Sequence, residues 1–367
     1  MNTQIQDKFT FKNGQTMRNR VVLAPMTICA SEPGGYVSQA DIDFFARRSR
    51  SVGMVITGST YVHPLGKSFT ESFSGAEDDK IEGLSRLAKA IKDQGALAIV
   101  QLYHGGRMVL PDLIDGQPVA PSAVKAPRDY LAEPRAFKNS EVEQVIEDFL
   151  SAIRRALQAG FDGVELHGAN TYLIQQFVSP HSNVRQDKWG GSLNNRLRFP
   201  KTLLKRAKQL VKEEADRPFL IGYRFSPEEI EEPGIQLYDT LQLLEQLIYH
   251  QVDYLHISTS DVWRLSIRDS QDSEPVIQKI IKKINGRVPL IGVGQIETKQ
   301  DAQRVLDAGI PLFALGKALL LDPDWTEKVV SGREAEVIRA YRDELQADLA
   351  LPTAFVEDAR SYLEGKD

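Results

Sequence analysis

Cysteine is almost missing from this chain: Cys29 is the single one in 367 residues. One thiol closes no internal disulfide, and it cannot supply the ligand set of a cysteine-rich zinc or iron–sulfur centre. Long apolar runs are missing too. No stretch approaches the roughly 18 residues of a membrane span, and the opening MNTQIQDKFTFKNG is too polar for a secretory signal, so a cytoplasmic protein is expected. Nor is there an excess of positive charge. The 45 Lys and Arg against 50 Asp and Glu leave a formal net charge of −5, which argues against a nucleic-acid-binding surface. No internal repeat or low-complexity linker divides the chain.

What remains, 42% hydrophobic and 26% charged residues, is the balance of a globular chain with material for a core. Apolar strand-like runs alternate with amphipathic stretches from end to end, the pattern of βα units around a parallel sheet. The runs lie near Val21 to Pro25, Gly53 to Gly58, Ala96 to Leu102, Gly163 to His167, Phe219 to Arg224, Tyr254 to Ile257, Pro289 to Gly292 and Leu312 to Gly316. Eight such units predict an α/β fold, a (β/α)8 TIM barrel. It takes the chain as one domain, with the barrel over about residues 18–330 and a C-terminal helical extension over 331–367. Asn13-Gly14 between alternating residues predicts an N-terminal β-hairpin that caps the barrel bottom. After the third strand, a proline-rich loop from Gly105 to Asn139 has the length of a lid or binding wall.

The helices carry their own punctuation. Ser140 with Glu143 reads as a capping box ahead of Val142, Val145, Ile146, Phe149, Ile153 and Leu157, and Gly160 reads as the stop. Thr298 with Asp301 reads as another start, and Leu203, Leu204, Ala207, Leu210 and Val211 form a stripe best explained by core packing.

Active sites of such barrels lie at the C-terminal ends of the strands. The polar and conformationally special residues falling there are Ala24, Pro25, Met26 and Thr27, then Gln101 and His104, then His167 and Asn170, then Arg224. The last two units add GVGQIET (Gly292 to Thr298) and FALGKALL (Phe313 to Leu320). Their glycines, a following helix N-terminus and the charge of Lys317 suit a phosphate. On those loops alone the glycines read equally well as turn residues.

The stretch from Val164 to Phe199, VELHGANTYLIQQFVSPHSNVRQDKWGGSLNNRLRF, sets His167, Asn170 and Tyr172 just past a strand. It closely resembles the corresponding part of the Old Yellow Enzyme family, the FMN-dependent ene-reductases, and the resemblance extends from Val21 to about Trp325. It implies bound FMN and NAD(P)H as co-substrate. Ala24, Pro25, Met26, Thr27, Gly58, Gln101 and Arg224 would lie around the flavin ring, and Gly294, Gly316 and Lys317 at its phosphate. His167 and Asn170 would hold the oxygen of an electron-poor alkene such as an enone, enal or nitroalkene, and Tyr172 would protonate Cα. Two departures stand out: the family commonly has arginine where Lys317 stands, and threonine here occupies a place that some branches give to cysteine. The larger dienoyl-CoA reductase relatives add an iron–sulfur cluster that one cysteine cannot ligate.

Two other functions fit the same fold. One is a flavin carrier or flavin reductase without ene-reductase chemistry. The other is a tRNA dihydrouridine synthase-like enzyme, a class that uses a cysteine acid and a basic RNA surface, disfavoured by the net negative charge and by the trio of His167, Asn170 and Tyr172. Small molecules are the expected partners, with no metal; a homo-oligomer is compatible with the chain.

Overall fold

The computed structural model describes residues 3–364 and forms a closed parallel barrel. Its strands are β1 (Val21–Leu23), β2 (Met54–Tyr61), β3 (Leu97–Tyr103), β4 (Gly163–Gly168), β5 (Leu220–Phe225), β6 (Tyr254–Ile257), β7 (Leu290–Val293) and β8 (Leu312–Leu315). They pair in chain order, and β8 closes on β1 through Phe313 opposite Val21 and Leu315 opposite Leu23. All eight sequence-predicted runs overlap a barrel strand. The largest displacement is the end of β2, at Tyr61 instead of Gly58. These strands are covered on both faces, which is why they read as continuous apolar runs and not as alternating ones.

Inside the barrel Val22, Met54, Ile56, Ile99, Leu220, Tyr254, Ile291 and Leu312 form one cluster with Phe11 and Met17 of the N-terminal hairpin. The hairpin pairs Phe9 with Met17 and Thr10 with Thr16, and Gly14 takes a φ of 92° in its turn. It therefore plugs the N-terminal end of the barrel, as expected, and leaves the C-terminal end for the site.

The predicted helix before β4 spans Asn139–Gln158, but its cap differs from the one expected. Glu141, not Glu143, reaches back to the backbone N–H of Lys138 at 2.7 Å, so Ser140 lies inside the first turn. Ser140 with Glu143 fits the residue pattern of a capping box, but the backbone N–H that a glutamate reaches is that of Lys138. Gly160 does end the helix, at a φ of 86°. The Thr298 and Asp301 capping box forms as read. Beyond the barrel, helix Thr353–Glu364 packs through Val356 and Leu363. Among the described residues no helix is long and apolar enough to cross a membrane.

Candidate active site

The site begins where β1 ends. Ala24 donates its N–H to Leu315 O at 3.0 Å, which carries Pro25, Met26 and Thr27 across the top of β2. There β2 breaks register between Ile56 and Ser59. At Gly58 a Cβ would come within 2.6 Å of Met26 O and 3.0 Å of Thr27 Cα, so only glycine admits this approach. Ser59 N–H in turn donates to the Thr27 hydroxyl at 3.1 Å.

A polar layer crosses the interior from β3 to β6. Pairing sets Gln101 opposite Glu165, and Arg224 opposite both His167 and His256. Glu165 and His167, two residues apart on β4, share a face. Gln101 Nε2 donates to Glu165 Oε1 at 2.8 Å, while Ser59 Oγ donates to Gln101 Oε1 at 3.3 Å. The other Glu165 oxygen lies 3.0 Å from His256 Nδ1. Burial alone would raise the Glu165 pKa, but His256, Arg224 and Gln101 outweigh it and hold the carboxyl below its usual range. Burial also pushes His256 down, against the pull of Glu165. Glu165 and His256 thus form one buried hydrogen-bonded pair in which burial and the partner's charge pull the imidazole in opposite directions.

Arg224 has the one full positive charge in this layer; burial lowers its pKa, and Glu165 and Tyr172 oppose that. Its Nε is buried without a hydrogen-bond partner among the described residues. An orphaned cationic N–H costs free energy and marks a place where a ligand acceptor would fit.

His167 is buried on the same level. Burial, with Arg224 and His256 nearby, drives its pKa well below the ordinary value. Nδ1 faces the Ala169 N–H at 3.3 Å, so the neutral ring carries its proton on Nε2. The Tyr172 ring meets His167 edge-on, centroids 5.0 Å apart, and packs on Tyr103 at 5.2 Å. Burial pushes the Tyr172 phenol up to about 12, partly offset by Arg128 and Arg224. Tyr172 is held from behind, because Leu173 N–H donates to His104 O and Gln176 Nε2 donates to both Gly105 O and Thr171 O.

Asn170 stands apart from that pair. It is exposed, at a left-handed φ of 55° followed by Thr171 at 65°, and its Oδ1 accepts from Ser258 Oγ at 2.7 Å. The structure thus brings His167, Tyr172, Arg224 and Gln101 together and sets Asn170 on the rim beside Ser226 and Ser258. His104 is spent on the fold: its Nδ1 accepts from Gly106 N–H, and burial beside His63 lowers its pKa to about 3.

At the ends of β7 and β8 a cavity of about 380 Å³ is bordered by Ser260, Gly294, Glu297, Gly316, Lys317 and Tyr362. Gly294 has a φ of 110°, and a Cβ there would lie 2.7 Å from Asp261 N. Helix Lys317–Leu321 has only five residues, so the dipole expected from sequence contributes little, and the cation is Lys317 itself. A comparable apolar cavity of about 390 Å³ lies at the hairpin end, between Phe9, Phe11 and Ile281, and holds none of the predicted site residues.

The long loop is clamped at its base. Arg185 Nη1 donates to Pro121 O at 2.8 Å and to Phe137 O at 2.6 Å, and Asp187 holds the guanidinium. Short strands Val119–Ala120 and Arg135–Ala136 zip the same base. This is the structural work of SPHSNVRQDKWGGS.

Glu165 and His256 are not among the residues that sequence reasoning singled out. A carboxylate between Val164 and Leu166 in a fully covered strand is the signal that was available.

A family model described as the NADH:flavin oxidoreductase / NADH oxidase family matches residues 7–336. The NADH:fumarate oxidoreductase of Klebsiella pneumoniae (strain 342) is 46% identical over 340 residues, covering 92% of this chain. This chain spans only 37% of that relative's length. The probable NADH-dependent flavin oxidoreductase YqiG of Bacillus subtilis (strain 168) is 44% identical over 332 residues, 90% of this chain and 89% of its own. Among solved structures, morphinone reductase superposes with a TM-score of 0.79 at 26% identity, covering 97% of this chain and 93% of that one.

Proposed function

Since the chain belongs to the NADH:flavin oxidoreductase / NADH oxidase family, an FMN oxidoreductase family fed by nicotinamide nucleotide, we propose that its own reaction is the reduction of an electron-poor alkene. The observation that carries this reading is the edge-on contact of His167, whose Nδ1 faces the Ala169 N–H, with the Tyr172 ring, centroids 5.0 Å apart.

The residues fit the cofactor: Arg224 Nε is a buried donor awaiting an acceptor, and Gly294 leaves a cradle that a Cβ would fill. We assign Ala24, Pro25, Met26, Thr27, Gly58, Gln101 and Arg224 to the flavin ring, and Gly294, Gly316 and Lys317 to its phosphate. When bound, FMN supplies hydride exchange between NAD(P)H and the acceptor. Arg224 opposes negative charge on the ring's pyrimidine edge. His167 donates from Nε2 to the carbonyl or nitro oxygen of the alkene, stabilising the charge that develops there. Asn170, on the rim with its Oδ1 held by Ser258, would have to turn its amide toward that oxygen to serve as the second donor. Tyr172 delivers the proton to Cα.

A second reading, a flavin reductase or electron carrier, rests on length. This chain spans 37% of the NADH:fumarate oxidoreductase, so the acceptor site of that relative can lie in its remainder. One experiment separates the two. The purified protein should show flavin absorption, anaerobic NADH or NADPH should bleach it, and cyclohexenone should restore the colour. Bleaching without restoration by any enone, enal or nitroalkene would leave the carrier reading standing.

A further inference from the structure

The expected arginine at the phosphate end is a lysine, and the two differ in how they are placed. A guanidinium fork fixes its own geometry on a phosphate, whereas an ammonium on a four-carbon stem has no preferred direction. The position of the Lys317 charge must therefore come from its surroundings. The contact found for that ammonium is the face of Tyr362, 4.8 Å from the ring centroid.

Tyr362 comes from a different part of the chain, on helix Thr353–Glu364. The helix is seated by buried Val356 and Leu363 and by an edge contact of Phe355 on Phe44, centroids 6.4 Å apart. It sets Tyr362 on the wall of the same 380 Å³ cavity that Gly294, Gly316 and Lys317 border. Glu297 borders the cavity too, so its charge balance at the ligand depends on where the Lys317 ammonium is held.

We propose that Tyr362 is a positioning residue for the FMN phosphate: its ring holds the Lys317 ammonium at the cavity between Gly294 and Gly316. The proposal rests on the FMN reading of the site. It gives the C-terminal helix a part in cofactor retention, acting through Lys317 on the phosphate and not on the flavin ring.

Riboflavin, which has the ring and lacks the phosphate, provides the control. The full chain, freed of flavin, is titrated with FMN and with riboflavin by fluorescence quenching, for wild type, Tyr362→Ala, Tyr362→Phe, Lys317→Met and the Ala/Met double variant. An exposed cation–ring contact predicts an FMN Kd about 2- to 5-fold higher in Tyr362→Ala. Riboflavin affinity should stay unchanged, Tyr362→Phe should match wild type, and Tyr362→Ala should add nothing in the Lys317→Met background. Equal weakening for FMN and riboflavin would reduce Tyr362 to general packing and overturn the proposal, as would full additivity with Lys317→Met. A wild type that prefers FMN, with Tyr362→Ala indistinguishable from it, overturns this proposal alone. A wild type that binds neither flavin overturns the function it rests on.

Discussion

Tyr172 and Arg224 are the single residues on which the proposed chemistry turns. Burial pushes the Tyr172 phenol up to about 12, so the folded protein keeps this proton through the range in which a free tyrosine near 10 would lose it. The sign follows: the phenol's contribution to stability is complete below pH 10 and is lost as the pH rises through about 12. Alkene reduction should accordingly show no loss attributable to this acid at neutral or mildly alkaline pH. Tyr172→Phe keeps the ring contacts with His167 and Tyr103 and removes the proton. Stopped-flow traces should show a near wild-type nicotinamide half-reaction and an alkene half-reaction slowed about 10²- to 10⁴-fold; equal slowing of both would mean that Tyr172 only shapes the pocket. Arg224→Ala removes the cation whose Nε lacks a protein partner. The bound flavin's reduction potential should drop by about 30–60 mV, the equivalent of about 1.5–3 kcal/mol for a charged hydrogen bond in a two-electron couple. An unchanged potential at full occupancy would place Arg224 away from the ring. The sequence placed both residues at or just past a strand end, where the structure has them, while the roles proposed for them come from the family resemblance. Glu165 was not legible, because its meaning depends on Gln101, Arg224 and His256 from three other strands. Asn170 was read correctly as a polar residue past the strand, but its direction is set by two successive left-handed residues that nothing in the sequence announces.

Elements were easier to read than their ends. The barrel strands were visible as apolar runs because both faces are covered, and the hairpin because Asn13-Gly14 suits a tight turn. The start of helix Asn139–Gln158 was misjudged by two residues, since Ser140 with Glu143 fits the capping-box pattern whereas the helix begins with Glu141 reaching back to the N–H of Lys138. Helix Gln39–Ser49 shows what a cap can cost when it is buried. Asp41 accepts from Ser38 N–H at 2.9 Å and closes a capping box, yet desolvation lifts its pKa to about 6 against those bonds. A carboxyl raised above its unfolded value contributes stability that is complete below pH 4 and is lost as the pH rises through about 6. Two pKa units correspond to about 3 kcal/mol at most. Asp41→Asn keeps an acceptor for Ser38 and does not titrate. Denaturant unfolding at several pH values should therefore find the stability of the wild type falling relative to the variant between pH 4 and 6, then running parallel above about pH 7. Parallel curves throughout would mean that Asp41 ionises as an exposed carboxyl does.

At the scale of the whole molecule, the barrel has a sealed end and a working end. Phe11 and Met17 close the first with the interior core cluster, and the proposed cofactor site opens at the second. Ligand binding at the working end should stabilise the entire cooperative unit: at a hundredfold excess of FMN over its Kd, unfolding should require about 2.7 kcal/mol more than in the flavin-free protein. Thermal or denaturant unfolding with and without FMN measures this, and the absence of any shift would contradict a specific site. The fold was readable because eight similar units repeat one hydrophobic pattern, whereas the site is assembled from strand ends far apart in the chain, whose register no single segment encodes. The clamp beneath the long loop bears on how such a molecule can be altered. Arg185 grips the carbonyls of Pro121 and Phe137 from outside the loop, so the segment between them hangs from a fixed frame. Those two carbonyls are natural splice points, but the tip between them carries Arg128, so a foreign tip would rewrite both the shape of what is admitted and the charge that faces the Tyr172 phenol.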